Sequence, residues 1–435
     1  MMRIVVATLA YCWAFQFAYV SYIYPTYGYA NFRYFPQSAE QNILTFILAF
    51  LPTIFSRKSE NPSAYGAAII FVLCYVPTIV MVPYMLDAAY APVMKIQMSL
   101  MASMSVLFIA STLGGTDAVA KHSADKRLLQ LVGLFTAIAL AILISTNYKH
   151  MRLVSFADVY DLRADASKAE TNGLLVYLVS WLSYCFLPFF IAKGLARVEM
   201  RSLALGMAGC FLVYISTGAK SQILLPFIML IILVMMRSNW SFLLVLCSGA
   251  AVSTLLVLLF PDDSFLAWGK STLLMRTLAT GGWTVSLYYE YFTANGYTFF
   301  SHIRIVDFFT HWYPYGGRSL GQIIGLEYSG SDLANFNANF WASDGFAAWG
   351  LWGIPVVTTA LAAFFVLLNR IASYYETRFV ALWMTGFWLA LLNLPLSTAI
   401  LSGGGGLVVF FLWTSRVRLP IGARPVQGTT SVSSA

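Results

Sequence analysis

The sequence contains few charged residues. Asp, Glu, Lys and Arg make up 10% of its 435 residues, whereas an ordinary soluble domain has about 25%. Hydrophobic residues account for 59% of the chain, and the mean hydropathy is +0.73. This composition excludes an ordinary soluble domain. We predict an all-α integral membrane protein that crosses the bilayer many times.

Cysteine and histidine are also scarce, with five and four residues. The cysteines all lie inside apolar runs, where cysteine packs as a small apolar residue: Cys12, Cys74, Cys185, Cys210 and Cys247. Neither a disulfide framework nor a thiolate metal site is therefore predicted. Asp158 and Asp161 flank Tyr160, but no third ligand stands at a recognisable metal-binding spacing. We predict no metal ion and no other cofactor.

Long apolar runs divide the chain into candidate membrane spans, each of which needs about 20 apolar residues. Eight runs are long enough: 4–25, 66–86, 96–114, 128–146, 173–193, 240–260, 346–368 and 379–397. Four others are shorter or interrupted: 41–55, 202–217, 222–236 and 401–414. Together they predict about twelve transmembrane helices. The run 401–414 contains four consecutive glycines, so a re-entrant segment stays open as an alternative.

The positions of the basic residues predict the orientation of the chain. Cytoplasmic loops of membrane proteins are enriched in Lys and Arg. If the N-terminus is cytoplasmic, more than half of the 26 Lys and Arg residues fall on that side, and most acids fall outside. Both termini are therefore predicted to be cytoplasmic. Basic helix ends in contact with anionic lipid explain most of the net charge of +8, so no nucleic-acid partner is predicted.

These assignments divide the chain into four parts. Residues 1–260 hold helices one to nine and a charged outer loop at 147–172; 261–345 form a large extracytoplasmic loop between spans nine and ten; 346–414 hold helices ten to twelve; and 415–435 form a disordered cytoplasmic tail. Within the large loop, the apolar run 273–292 contains Arg276 and Glu290. This pattern favours an amphipathic helix in the membrane interface over a further span.

Several cations outside the predicted spans are candidates for binding phosphate. Arginine suits phosphate because its planar guanidinium donates two parallel hydrogen bonds and stays charged. The candidates are Arg163, Arg276, Arg304, Arg318 and Lys220. Each could instead extend along the membrane interface or pair with a nearby acid, such as Arg163 with Asp161. Both interpretations stay open for any single residue.

The large loop also contains candidates for proton transfer. His302 and His311 are candidates because an unperturbed imidazole changes its charge near neutral pH. Glu290 and Asp344 are the acids expected nearest the membrane surface, where burial would raise a carboxyl pKa. The alternatives are packing roles for the histidines and a helix N-terminal role for Asp344.

The chain resembles the oligosaccharide repeat-unit polymerases, the O-antigen polymerase family of bacterial envelopes. The similarity lies in about a dozen spans with a large outer loop late in the chain. Local similarities are Val159-Tyr-Asp161-Leu-Arg163, Gly218-Ala-Lys220-Ser221, and Asn337-Ala-Asn339-Phe-Trp-Ala-Ser-Asp344-Gly345 followed by Gly350-Leu-Trp-Gly353. The related O-antigen ligases have a histidine where this chain has asparagines, Asn337 and Asn339. A mechanism based on that histidine is therefore not carried over.

The resemblance implies an enzyme of the bacterial inner membrane that joins undecaprenyl-pyrophosphate-linked oligosaccharides at the outer face. A sugar hydroxyl of one molecule would displace the lipid pyrophosphate of another. Arg276, Arg304 and Arg318 would bind pyrophosphate, with Arg163 and Lys220 as second candidates, and His302, His311, Glu290 or Asp344 would accept the proton. Trp312, Tyr313, Tyr315, Asn337 and Asn339 would contact sugars. Membrane lipid and a polysaccharide chain-length regulator would be partners.

A transporter is the main alternative, in particular a flippase for lipid-linked oligosaccharides. About twelve spans with both termini inside is also a common transporter plan. Many transporters show matched halves with broken helices in corresponding positions. Here the irregular features fall mainly in the second half of the sequence, which favours the polymerase.

Overall fold

Helices form every regular element in the part of the chain that the structure describes. The computed structural model describes residues 1–57, 59–115, 126–149, 151–153, 173–261, 267–331, 334–336 and 339–415. Eight of its helices are long and apolar enough to cross a membrane. The chain is therefore an all-α membrane protein, as the composition predicts.

Sixteen helical segments are described, and several of them contain short π or 3₁₀ stretches. In chain order they are α1 (Met2–Ala30), α2 (Ala39–Phe55), α3 (Pro62–Met85), α4 (Tyr90–Ser111), α5 (Lys126–Asn147), α6 (Leu175–Arg197), α7 (Met200–Thr217), α8 (Lys220–Met236), α9 (Phe242–Leu258), α10 (267–295), α11 (Arg304–Thr310), α12 (Leu320–Ser329), α13 (Trp341–Ala372), α14 (Thr377–Trp383), α15 (Thr385–Ala390) and α16 (Leu396–Thr414). The eight long apolar helices are α1, α3, α4, α5, α6, α7, α13 and α16.

Four of the predicted spans have no counterpart among the eight long helices. The runs 41–55, 222–236 and 240–260 correspond to the shorter apolar helices α2, α8 and α9. The run 379–397 is covered by two short helices, α14 and α15, and the second ends before Pro395. Proline lacks a backbone N–H and disfavours helical geometry in the residue before it, so a helix cannot continue easily there. Most of the charged outer loop and residues 416–435 lie outside the described residues.

Helix α3 lies at the centre of the bundle, and nearly all of it is buried. Polar side chains connect it to its neighbours. The Tyr11 hydroxyl of α1 donates to the carbonyl of Val72 at 2.9 Å, and the amide of Gln97 in α4 donates to the carbonyl of Ile79 at 3.0 Å. Interhelical hydrogen bonds of this kind stabilise helix packing inside an apolar environment by about 0.6 kcal/mol each.

Helix α10 packs against α3 and against the start of α13. Its residues 281–288 are all buried, so neighbouring helices enclose this part of α10 on every side. Close approach depends on Gly281, where a Cβ atom would lie 2.8 Å from the Thr78 hydroxyl and 3.2 Å from the Asn339 amide. The sequence predicts an amphipathic helix here, and the structure shows a helix whose middle has no exposed face. Its depth in the bilayer stays a prediction.

The contact between α3 and α10 gives a test of the packing. We expect Gly281→Ala to destabilise the protein by about 1–3 kcal/mol, because the added methyl group forces the two helices apart. Thermal unfolding of the detergent-purified protein would measure this change. Gly269→Ala is the matched control, since a Cβ atom at Gly269 meets nothing within 4 Å. Equal melting temperatures for the two variants would contradict the proposed packing constraint.

Candidate functional site

An irregular turn at residues 297–302 presents His302 to the helical bundle. Two successive residues of this turn, Phe299 and Phe300, have left-handed backbone angles with φ of 49° and 65°. Bulky residues rarely adopt this conformation, and strain of this kind concentrates at functional sites. The turn is held by backbone N–H groups of Thr298 and Phe299, which donate to the carbonyls of Ala347 and Ala348 at 2.8 Å.

The residues that hold the turn lie beside a break in α13. Trp349 and Gly350 leave helical geometry, and Gly350 has a φ of +56°. A Cβ atom at Gly350 would lie 2.7 Å from the ring of Tyr297, so the turn also limits the size of this residue. Helix α13 is therefore discontinuous, and its first part packs directly on the turn that contains His302.

Asp344 lies in the first part of α13, within the π-helical stretch Trp341–Phe346. π-Helical turns are rare and are often found at functional sites. The Asp344 carboxylate accepts a hydrogen bond at Oδ2 from the backbone N–H of Ser397, at 2.9 Å. The Ser397 hydroxyl lies 3.3 Å from both carboxylate oxygens. Asp344 thus connects α13 to the beginning of α16.

His302 and Asp344 form a buried pair. The distance between His302 Nε2 and Asp344 Oδ1 is 2.9 Å, and their side chains are 6% and 2% exposed. The other ring nitrogen, Nδ1, lies 2.8 Å from the hydroxyl of Thr298, which also lies 3.1 Å from the carbonyl of Ala347. Every polar atom of the pair has a partner, as buried polar groups require.

The single proton of the Thr298 hydroxyl gives this network two complete arrangements. In one, Thr298 donates to Nδ1 of a neutral His302, whose Nε2–H donates to Asp344. In the other, His302 is protonated and donates from both nitrogens, and Thr298 donates to the carbonyl of Ala347. The two arrangements differ by one proton, and the protonated one has one more hydrogen bond, from the Thr298 hydroxyl to the carbonyl of Ala347. The network can therefore take up a proton without losing a contact.

A second polar cluster surrounds Glu290 of α10. Arg33 Nη1 lies 2.6 Å from Glu290 Oε1, and the Tyr328 hydroxyl donates to Oε2 at 3.2 Å. Burial raises the pKa of Tyr328, and the nearby Glu290 carboxylate raises it further. Tyr328 therefore stays protonated and able to donate. The Asn31 amide donates to the Tyr328 carbonyl at 2.9 Å, which joins the chain after α1 to α12.

Tyr313 and Tyr315 form part of an aromatic group next to α10. The ring of Tyr315 lies 6.2 Å from that of Tyr291 and 5.6 Å from that of Tyr313. The Tyr313 hydroxyl donates to the carbonyl of Arg318 at 2.7 Å, which closes the turn. Burial raises the pKa of Tyr315 to about 12. Both rings are half-buried, so part of each ring is accessible to solvent.

The other predicted site residues occupy different environments. The side chains of Arg276, Arg304, Arg318, His311 and Trp312 are exposed. Lys220 lies at the first position of α8, with its ammonium 5.9 Å from the ring centre of Trp268. Arg163 and Asn337 lie outside the described residues.

Asn339 is fully buried, and its side chain contacts protein groups. Its Oδ1 accepts a hydrogen bond from the backbone N–H of Ala342 at 2.9 Å, and its Nδ2 lies 3.4 Å from Cys74 Sγ. These contacts give Asn339 a structural role at the start of α13. Its role in sugar binding stays a prediction.

The structure thus brings together two of the predicted residues, His302 and Asp344, and places Glu290 in a separate ion pair. The sequence reasoning missed Thr298, Ser397 and Arg33 as members of these clusters. Arg33 lies in the short segment between the predicted spans 4–25 and 41–55, and Ser397 ends a predicted span. Thr298, Ser397 and Arg33 are recognised as members of these clusters only by their positions in the folded protein. In the described part of the chain, no three His, Cys, Asp or Glu side chains are grouped so that they could bind a metal ion.

Comparisons with protein-family models, curated proteins and solved structures gave no match for this chain. The resemblance to the O-antigen polymerases therefore stays a prediction that depends on the motifs above and on the architecture.

The ion pair between Arg33 and Glu290 can be tested by a double-mutant cycle. Both side chains are about one-quarter to one-third exposed, so solvent weakens their attraction. We expect Arg33→Gln and Glu290→Gln each to lower stability, with a coupling free energy of about 0.5–1 kcal/mol in the double variant. Thermal unfolding of the four proteins would measure it. Strictly additive effects would show that the two charges are not coupled.

Proposed function

We propose that this protein polymerises undecaprenyl-pyrophosphate-linked oligosaccharide repeat units by glycosyl transfer at the outer face of the bacterial inner membrane. The buried pair of His302 and Asp344 carries this proposal. Ionisable groups are expensive in an apolar bundle, and a buried pair in a membrane protein is by default a functional hypothesis. Its ability to hold one more proton suits a step in which a sugar hydroxyl loses its proton.

The proposed topology has twelve spans, with both termini in the cytoplasm and residues 261–345 outside. In this arrangement α2, α8 and α9 cross the bilayer, and α14 and α15 together form one interrupted span. The His302–Asp344 pair then lies near the outer membrane surface, where the sugars of lipid-linked donors and acceptors are located.

In the proposed reaction, the acceptor hydroxyl oxygen forms a bond to the anomeric carbon of the donor sugar. The bond from that carbon to the pyrophosphate oxygen breaks, and pyrophosphate leaves on its lipid. The acceptor proton goes to the His302–Asp344 pair, which can hold one more proton when the Thr298 hydroxyl donates to the carbonyl of Ala347.

Cations would stabilise the charge that develops on the leaving pyrophosphate, which is often the largest contribution to catalysis. Arg304 follows His302 by two residues and is exposed, so it is the first candidate for this role. Arg276 and Arg318 are also exposed. The half-buried rings of Tyr313 and Tyr315, with exposed Trp312, offer surfaces on which sugars can stack.

Purified protein in nanodiscs, supplied with a lipid-pyrophosphate-linked repeat unit, should produce a ladder of glycans without nucleotide sugars. We expect Asp344→Asn to lower the yield by about 10²–10⁴-fold, the usual contribution of general acid–base catalysis. His302→Gln should also shift the pH dependence of the rate, which loss of packing alone would not do. Glu327→Gln, at an exposed acid of α12, is the control and should retain activity.

Two results would contradict this proposal. A normal ladder from Asp344→Asn would remove the pair from the mechanism. An intact repeat unit that crosses the bilayer of proteoliposomes containing the protein would instead support a flippase.

The proposed orientation of the chain in the membrane can be tested by cysteine labelling. The five native cysteines are buried, so an introduced cysteine can be labelled with little background. We expect Arg318→Cys in intact spheroplasts to react with a membrane-impermeant maleimide, and Arg370→Cys to react only after lysis. The reverse pattern would place His302 and Asp344 near the cytoplasm and exclude the proposed reaction there.

A further inference from the structure

A cavity of about 750 Å³ lies at the opposite end of the bundle from His302 and Asp344. It is lined by the start of α1, the segment between α2 and α3, the connection between α8 and α9, and the start of α14. Its volume falls within the range of about 300–1,000 Å³ that is typical of small-molecule sites. None of the residues predicted to bind substrate lines it.

Helix α13 fixes the position of this cavity relative to the candidate site. Asp344 lies near the beginning of α13, and Asn369 lies near its end. The Asn369 amide donates to the carbonyl of Ser111 at 3.3 Å, and Ser111 lines the cavity. The two sites are thus separated by the length of α13. In the proposed topology the cavity faces the cytoplasm.

Charged side chains from distant parts of the sequence converge on the cavity. Arg57 follows α2, and Arg378 lies in the first turn of α14. In the described part of the chain, neither guanidinium makes a salt bridge. Glu60 and Glu376 also line the cavity. The two arginines supply positive charge, and the carboxylates can accept hydrogen bonds from hydroxyl or ammonium groups of a ligand.

Polar donors and aromatic rings complete the lining. Asn239 and Ser241 contribute an amide and a hydroxyl at the connection between α8 and α9. The rings of Tyr65 and Phe242 pack edge to face with their centres 5.0 Å apart. The guanidinium carbon of Arg3 lies 4.9 Å from the ring centre of Trp240, which fixes this exposed ring at the rim. Guanidinium groups and neutral donors that line one cavity are suited to phosphate, which accepts several hydrogen bonds at once.

We propose that this cavity binds a phosphate group through Arg57 and Arg378. The phosphate is carried either by the headgroup of a phospholipid or by a soluble phosphorylated compound. The inference does not depend on the proposed glycosyl transfer, because it uses different residues at the other end of the bundle.

The test compares ligand binding to the full-length protein purified in a phosphate-free detergent. Native mass spectrometry and thermal stabilisation would be measured with phosphatidylglycerol, with diacylglycerol as the phosphate-free lipid, and with inorganic pyrophosphate. We expect Arg57→Gln with Arg378→Gln to weaken phosphate binding by about 10-fold or more. The matched control is Arg237→Gln with Arg370→Gln, two exposed arginines outside the cavity lining.

A lysine pair at the same positions keeps the charge but loses the planar guanidinium, so Arg57→Lys with Arg378→Lys should bind with intermediate affinity. Binding of phosphatidylglycerol, but of neither diacylglycerol nor pyrophosphate, would identify a lipid headgroup. Binding of pyrophosphate would identify a soluble ligand. If wild type binds none of the phosphate probes, or if the two glutamine double variants bind them equally, the proposal is wrong. A ladder assay on the same variants would report separately on the outer site.

Discussion

A carboxylate buried in an apolar bundle must be compensated, and this requirement organises the second half of the protein. Asp344 is 2% exposed, and removing an unpaired charge from water is strongly unfavourable. Compensation comes from His302 in the turn before α11 and from the backbone and hydroxyl of Ser397 in α16. The turn, the first part of α13 and the start of α16 all meet at this one carboxylate.

The backbone around Asp344 is irregular where a simple transmembrane helix would be regular. A π-helical stretch precedes the break at Trp349 and Gly350, and the left-handed residues Phe299 and Phe300 lie opposite. Each irregularity is unfavourable by itself. They occur together because backbone hydrogen bonds from Thr298 and Phe299 use carbonyls next to the break. The apolar helices therefore hold a polar site that a regular packing of helices would not have.

Hydropathy predicted the helical class and most of the helix positions, because long apolar runs have few structural alternatives in a membrane. It did not predict the division of 379–397, where α14 ends at Trp383 and α15 begins at Thr385. It also predicted an amphipathic helix at 273–292, whereas burial of residues 281–288 depends on which helices surround them. Local composition does not contain that information.

The candidate residues were predictable singly but not as groups. His302 and Asp344 stood out as scarce ionisable residues in a polar stretch, yet nothing in the sequence paired them. Arg33 and Glu290 are separated by 257 positions, and their contact follows from the packing of α10 beside the segment after α1. Nothing in the sequence singles out Ser397. Its shortest contact with Asp344 is made by its backbone N–H, a group that every residue except proline has.

The participation of Ser397 has a consequence for how the protein is made. The ribosome synthesises the chain from its N-terminus, so Thr298, His302 and Asp344 are made before α16. Until α16 is inserted, the Asp344 carboxylate lacks the donors that Ser397 supplies, and the first part of α13 has no fixed neighbour on that side. Completion of the site therefore coincides with the packing of α16 against α13, and a chain that stops short of α16 would leave the Asp344 carboxylate without the two donors of Ser397.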